Sequence, residues 1–335
     1  MRFARKLAAA GIALAAIYLF VTSGVFQSAK DSAIAYIDQH RERQAVALTE
    51  EAAPPQGSRT PEENKPAPSS SPSPAPTPKT GLSAEDMIET TIAGGLNVKN
   101  GTKFDIDIHK LLAAGAGITL EAEKPQILII HTHSSEAYTP AGLDKYDASD
   151  TSRTEDKEFN VIRIGDELES ILTEAGLQVI HDRGVYDYPS YTGSYTRSGE
   201  AVQRYLEQYP TIKIVIDLHR DAIGAGDAVY KTVAEEEGVC ASQVMLLVGT
   251  NESGLEHPYW RDNLQLALYL QSEVSIAHPT LMRPVEIVPQ RYNQHLSRGS
   301  MILEVGSSGN TLQEALAGIR LFGNAAADAL VKLVE

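Results

Sequence analysis

Apolar residues are arranged along this chain in clearly different ways, and each arrangement predicts a different element. Leu7–Ala29 carries no charge, and Leu7–Phe26 (LAAAGIALAAIYLFVTSGVF) is apolar enough to cross a bilayer, which takes about 20 residues. Arg2, Arg5 and Lys6 lie on its N-terminal side. The positive-inside tendency therefore keeps the N-terminus in the cytoplasm and sends everything after about residue 27 outside. Thr22-Ser23-Gly24 and Gln27-Ser28-Ala29 also offer the small residues of a cleaved signal peptide. The apolar run is longer than the usual h-region of about 7–15 residues, which favours an uncleaved anchor. Residues 30–50 read as a short polar helix. Periodicity then disappears: nine prolines fall between Pro54 and Pro78 among Ser, Ala, Thr and Lys, the composition of a semi-rigid, extended spacer.

Beyond the spacer, short β-branched runs alternate with helical periodicity. Gln126–Ile130 (QILII) reads as a buried strand. Asn160–Ala175 places Val161, Ile164, Leu168, Ile171 and Leu172 at helical spacing, with Gly176 as the stop. Strands follow at 177–181, 213–218, 244–249 and 301–305, with helices at 198–209, 260–277 and 311–334. Such alternation predicts an α/β domain, a central mostly parallel sheet with helices on both faces. The expected organisation is a cytoplasmic tip and transmembrane helix at 1–29, a juxtamembrane segment and Pro/Ser-rich linker at 30–80, and an extracytoplasmic domain at 81–335.

Composition narrows the function classes. Against 44 Asp+Glu the chain has 29 Lys+Arg, a formal net charge of −15, so it lacks the clustered basic surface that nucleic acid binding needs. Cys240 is the sole cysteine, which excludes an intrachain disulfide and a thiolate zinc cluster. The apolar run after it, Val244–Val248, reads Cys240 as a small buried hydrophobe. Any metal must be held by imidazole and carboxylate.

Polar groups fall at the carboxyl ends of the predicted strands, where sites form in open α/β sheets. One strand runs into His131-Thr132-His133-Ser134-Ser135-Glu136, another into Asp217-Leu218-His219-Arg220-Asp221, and a third carries Glu304. If the backbone stays extended, His131 and His133 share a face. A hydrolytic zinc takes three protein ligands and leaves one position open, and His133, Glu136 and His219 supply that count. Glu304 then stands as general base. The same pattern is open to hydrogen-bonded strand-end histidines with no metal. His131 reads as an orienting neighbour or a replacement ligand. Asp217 and Asp221 read as orienting His219 or as strand-end polar groups, and Arg220 as a bidentate clamp for a substrate carboxylate or a salt bridge. Tyr186, Tyr188, Tyr191 and Tyr195 crowd a Pro/Gly loop (VYDYPSYTGSYTRS), where ring faces with hydroxyl tips suit sugar or peptide contacts, or simply pack the loop. His40, His109, His181, His257, His278 and His295 lack comparable company and read as structural or surface residues.

Six segments in order, PQILIIHTHSSEAYTP, DKEFNVIRIGDEL, YDYPSYTGSYTRS, IKIVIDLHRDA, HPYWRDNLQLA and MILEVGSSGNTLQEA, resemble the stage II sporulation protein P family across roughly Phe104–Glu335. The resemblance implies a peptidoglycan hydrolase of endospore-forming bacteria, an N-acetylmuramoyl-L-alanine amidase and also endopeptidase acting in forespore engulfment. It implies as partners the lytic transglycosylase stage II sporulation protein D and the membrane protein stage II sporulation protein M. The family is similar in turn to wider zinc amidases. Their ligand histidines match His133 and His219, and their Glu-X-Gly-X-X-X-Asn motif matches Glu304-Val305-Gly306 through Asn310. Their middle ligand, a Glu just before a helix, falls here among Asp156, Lys157, Glu158 and Asn160. Glu136 and Glu158 therefore compete for that place, with Glu136 preferred for its compact HTHSSE setting. The expectation is a membrane-anchored, extracytoplasmic zinc amidase with a zinc amidase-like fold and Tyr191, Tyr195 and Arg220 toward the substrate. Its rivals are an inactive wall-binding module and a pure cross-link endopeptidase.

Overall fold

The structure, a computed structural model, describes residues 87–90 and 96–335 other than 143, 151, 226–227 and 237. The expected anchor and linker and the first residues of the domain expected at 81–335 lie outside the described residues. Among the described residues no helix is long and apolar enough to cross a membrane.

Seven strands make the central sheet: β2 (Val98–Asn100), β3 (Ile127–Ile130), β4 (Val179–His181), β5 (Ile214–Asp221), β9 (Val244–Gly249), β10 (Val285–Val288) and β11 (Gly299–Ser307), in the order β2-β10-β9-β11-β5-β3-β4. All neighbours pair in parallel except β9 and β11. Strands β3, β5 and β9 are buried along their whole length, which is why they read as unbroken apolar runs rather than as alternation. A second sheet forms from β1 (Met87–Thr90), β6 (Gly224–Ala225) and β7 (Ala228–Glu236), with β8 (Val239–Ser242) paired to β7.

Helices cover both faces. Ile127, Ile129, Ile214, Ile216, Leu246, Met301 and Leu303 face a large core that also takes the buried residues of α2 (Val161–Glu174), α4 (Trp260–Ala277) and α5 (Leu312–Val331). The alternate residues Leu128, Ile130 and Val215 pack with Ala201 and Val202 of α3 (Ser194–Gln208) on the other face. A short helix α1 (Ile108–Ala113) completes the described helices. Asn160 caps α2 by accepting from the Ile162 amide, and Thr311 with Glu314 forms a capping box on α5, so both helices start where the sequence turns polar.

The expected α/β architecture is present, with one antiparallel pair at its centre. The helix at 260–277 has the bounds expected from its periodicity; the helix expected at 198–209 begins four residues earlier, after Gly193 in a left-handed conformation. Strands β2 and β10 and the β7–β8 hairpin were not predicted. Cys240 corrects the reading of it as buried: it lies exposed on β8, the outer strand of that hairpin.

Helix α5 approaches the hairpin closely at Gly318, where an added Cβ would stand 2.5 Å from the Ser242 carbonyl oxygen. Backbone cannot swing aside as a side chain can. Gly318→Ala should therefore cost about 1–3 kcal/mol by overpacking, read as a lower denaturant midpoint; an unchanged midpoint would show that the helix and hairpin separate freely.

Candidate functional site

Strands β3, β5 and β11 are parallel neighbours, so their carboxyl ends lie at one edge of the sheet. Side chains alternate along β5, which puts Asp217 and His219 on the α3 face. Glu304 of β11 is in register with His219. A tight turn at its far end fixes β11. Gly306 adopts φ +65 where a side chain would meet Asn310, and Asn310 accepts from the Ser307 and Thr232 amides at 3.0 and 3.2 Å. The glycine and asparagine of the EVGSSGN segment are thus the pieces that hold Glu304 in place.

After β3 the backbone does not stay extended. Thr132–Ser135 form a turn, and the two histidines diverge. His131 turns toward the α2 face, with Nδ1 2.9 Å from the Leu218 carbonyl and Nε2 2.8 Å from His181 Nε2. Burial pushes His131 down to about 4, so it is neutral. His133 goes to the other side, its ring stacked on Tyr191 at 4.5 Å and edge-on to Tyr195 at 5.4 Å and His219 at 5.2 Å. The expectation that His131 and His133 share a face is therefore corrected. The cause is a carboxylate: Asp187, its side chain fully enclosed, accepts from Ser134 Oγ (3.1 Å), Ser135 N (3.0 Å), Ser135 Oγ (2.7 Å) and Arg153 Nη1 (2.6 Å). Curling the chain around Asp187 satisfies all of these groups.

Glu136 leaves that turn toward His219, with Oε2 3.4 Å from His219 Nδ1. Its other oxygen is 3.3 Å from Arg153 and 3.6 Å from Arg220. Although burial opposes it, the Arg220, His219 and Arg153 charges hold Glu136 well below the usual carboxylate range. His219 Nε2 lies 2.9 Å from Asp217 Oδ1, yet off the line of a hydrogen bond, so this enclosed nitrogen is unpartnered. Burial disfavours the charged ring, but the Asp217 and Glu136 carboxylates outweigh it and push His219 well above the ordinary histidine value. Asp217 in turn accepts from the Thr132 amide and hydroxyl at 2.8 and 2.6 Å, tying β5 to the end of β3.

The remaining expected residues fall in different places. Glu304 Oε2 is sealed from solvent without a partner; burial and the nearby Asp221 push Glu304 up to about 8. Nearby in the chain, Arg291 donates to the Glu256 carbonyl and Arg298 pairs with Asp262. Asp221 accepts from Arg283 at 2.8 Å rather than orienting His219. Arg220 is buried and donates to the Ala137 and Ser152 carbonyls at 2.9 Å each, which makes it a clip between loops. Glu158 is exposed in the turn before α2, its amide bonded to Asp156. Tyr191 remains 43% exposed over His133, so its ring borders the site from the solvent side.

The family described as Stage II sporulation protein P (SpoIIP) matches residues 21–327. The chain belongs to that family. A curated member, Stage II sporulation protein P of Bacillus subtilis (strain 168), is 25% identical over 221 residues, which cover 62% of this chain and 50% of that protein. The chain thus spans about half the length of the curated relative it matches. Among solved structures it is similar to the N-acetylmuramoyl-L-alanine amidase AmiC2 of Nostoc punctiforme, with 14% identity and a TM-score of 0.35 over 63% of this chain and 97% of that one. It is also similar to the amidase Ami1 of Mycobacterium smegmatis, with 12% identity and a TM-score of 0.37 over 63% and 97%.

Zinc, which the family resemblance implies, can be tested against the donors of this SpoIIP member. Two ligands each about 2.1 Å from a tetrahedral ion stand about 3.4 Å apart, and His219 Nδ1 and Glu136 Oε2 have that spacing. His133 is adjacent, its nitrogens facing Tyr191 Oη at 3.0 Å and Ser194 Oγ at 3.5 Å. His133 is the looser member, its ring centroid 5.2 Å from that of His219. Its donors are nonetheless the imidazoles and carboxylate of a hydrolytic centre, and unpartnered nitrogen and oxygen atoms adjoin it. The residues fit zinc.

Sequence reasoning missed Asp187, Arg153 and Arg283, whose roles come from residues distant in the chain. It also left His181 without company, although Asp166 and Glu169 are spaced to share a helix face. Asp187→Ala would leave Arg153 unpaired and the Ser134–Ser135 turn untied. The expected loss of stability is about 3–5 kcal/mol, measured by chemical unfolding, and a loss under about 1 kcal/mol would remove Asp187 as the organiser of the turn. Glu304 predicts a pH signature in the metal-free chain. Its carboxyl holds a proton up to about 8 when folded against an ordinary 4.5, so stability is full below 4.5 and is lost as pH rises through 8. Glu304→Gln should raise the melting temperature at pH 8 and lose that advantage at pH 4; a pH-independent difference would contradict the burial argument.

Proposed function

We propose that this SpoIIP family member is a peptidoglycan hydrolase, a zinc-dependent N-acetylmuramoyl-L-alanine amidase that cuts between the glycan lactyl group and the stem peptide. The observation that carries this reading is Glu304: a carboxylate with a sealed, unpartnered oxygen and a strongly raised proton affinity, in register with His219. Such a group has no packing role and is tuned to take and return a proton near neutral pH.

His133, Glu136 and His219 would hold zinc, which when bound supplies Lewis-acid polarisation of the scissile carbonyl. The Asp217 carboxylate stands 2.9 Å from His219 Nε2, on the ring edge opposite the Nδ1 that faces Glu136. Arg153 and Arg220 keep Glu136 ionised as an acceptor. Glu304 accepts the proton of the attacking water and hands it to the leaving amine. The exposed Tyr191 ring offers an apolar face with a hydroxyl tip at the mouth. Membrane anchoring by the segment at 7–26, an extracytoplasmic location, a role in forespore engulfment and work alongside stage II sporulation proteins D and M belong to the same proposal, by family resemblance.

The deciding experiment digests purified peptidoglycan with the wild-type chain and with Glu304→Gln, and weighs the products. Expected are separated glycan and stem peptide from the wild type, and a loss of about 10²–10⁴-fold in rate with zinc retained for the variant. His219→Ala should lose both zinc and turnover. Products cut only at the cross-link would make the chain an endopeptidase, and binding without products would make it a wall-recognition module.

A further inference from the structure

His181 ends β4 with its side chain fully buried, and its two ring nitrogens meet opposite surroundings. Nε2 stands 2.8 Å from His131 Nε2, while His131 Nδ1 stands 2.9 Å from the Leu218 carbonyl oxygen. A carbonyl only accepts, so His131 Nδ1 carries the proton and a neutral His131 presents a lone pair at Nε2. His181 Nε2–H must donate to it. A neutral His181 is then left with a bare lone pair at Nδ1, an assignment made from its partners.

That lone pair faces two more acceptors. Nδ1 is 3.3 Å from Asp166 Oδ1 and 3.4 Å from Glu169 Oε2, and forms an aligned hydrogen bond with neither. These separations are those of neighbouring ligands around a tetrahedral ion, about 3.4 Å for bonds of about 2.1 Å. All three donor atoms lie within 4.8 Å of one another, which among the described residues marks out this trio. Asp166 and Glu169 lie three residues apart on α2 and project from one face. Helix α2 reaches the histidines because residue 165 is glycine, where a Cβ would stand 2.6 Å from His181 Nε2 and 2.7 Å from His131 Nε2. One cation is already present: Arg183 donates from Nε to Asp166 at 2.7 Å and from Nη2 to Glu169 at 2.5 Å. Its side chain is 42% exposed and can swing into water, whereas the enclosed imidazole cannot move.

We propose that Asp166, Glu169 and His181 form a binding site for a divalent first-row transition-metal ion, separate from the His133, Glu136 and His219 cluster, in which the incoming ion displaces Arg183. One imidazole and two carboxylates suit such ions better than the all-oxygen sets of calcium or magnesium. The ion fixes the His181 tautomer and, through His131, the Leu218 carbonyl that immediately precedes His219. It acts as a brace beneath the candidate active site.

Titration of the full-length chain with Co²⁺, read by visible absorption and by metal counting, tests this. In a His219→Ala chain, whose other centre is disabled, one Co²⁺ should still bind. Adding Asp166→Asn and Glu169→Gln should abolish that uptake, and Arg183→Ala should tighten it about fivefold, the order expected from freeing a half-exposed ion pair. If His219→Ala does not fold, the same acid substitutions in the otherwise wild-type chain should lower the count by one ion. No uptake in the folded His219→Ala chain, or uptake untouched by the acid substitutions, would overturn the site. Either result stands apart from the amidase reading, because neither depends on turnover.

Discussion

Parallel pairing of β3, β5 and β11 is the constraint from which the candidate site follows. Three buried strands that run the same way must all stop at one edge, and there the chain can change from apolar to polar without burying unpaired groups. Each strand does so within a residue or two: Ile130 gives way to His131, Leu218 to His219, and Leu303 to Glu304. Side-chain alternation then sorts these groups between the two faces. His131 falls on the α2 side with His181, while His219, Asp217 and Glu304 share the α3 side, where His133 arrives by the turn around Asp187. The same edge thus carries two separate polar clusters, one on each side of the sheet.

Local pattern was enough to read most of the secondary structure, because buried parallel strands and amphipathic helices announce themselves in composition and period. Short elements escaped it. Strand β2 has only three residues, mostly exposed, and the β7–β8 hairpin alternates irregularly, so neither has the apolar run or clean period that identifies a strand. The antiparallel β9–β11 pair was hidden for another reason: strand direction is set by the connections, and residue composition does not encode it.

Legibility of the candidate site stopped at the same boundary between local and distant. His219 and Glu304 stand out because each follows an apolar run, and His133 and Glu136 because they share the compact HTHSSE segment after one; the structure gathers the four at one edge. What surrounds them depends on residues far off in sequence. Arg220 looked like a substrate clamp because its neighbours are polar, yet its donors go to the Ala137 and Ser152 carbonyls. Asp187 looked like an ordinary loop acid between tyrosines, yet it organises a turn more than fifty residues earlier. His181 sits at the end of a short strand, and the carboxylates facing its Nδ1 come from the preceding helix, twelve or more residues away in sequence.

The place of β11 in the sheet also bears on when the molecule becomes complete. This strand lies between β5 and β9, although it follows both along the chain. A polypeptide emerging from a ribosome therefore carries two half-sheets, β5-β3-β4 and β9-β10, with no strand joining them until residues 299–307 arrive. Joining them is a long-range event of the kind that makes folding slow, and it delivers Glu304 to His219 in the same step. A chain built this way brings the groups of its candidate site together only as its fold closes, so an unfinished chain holds those groups apart.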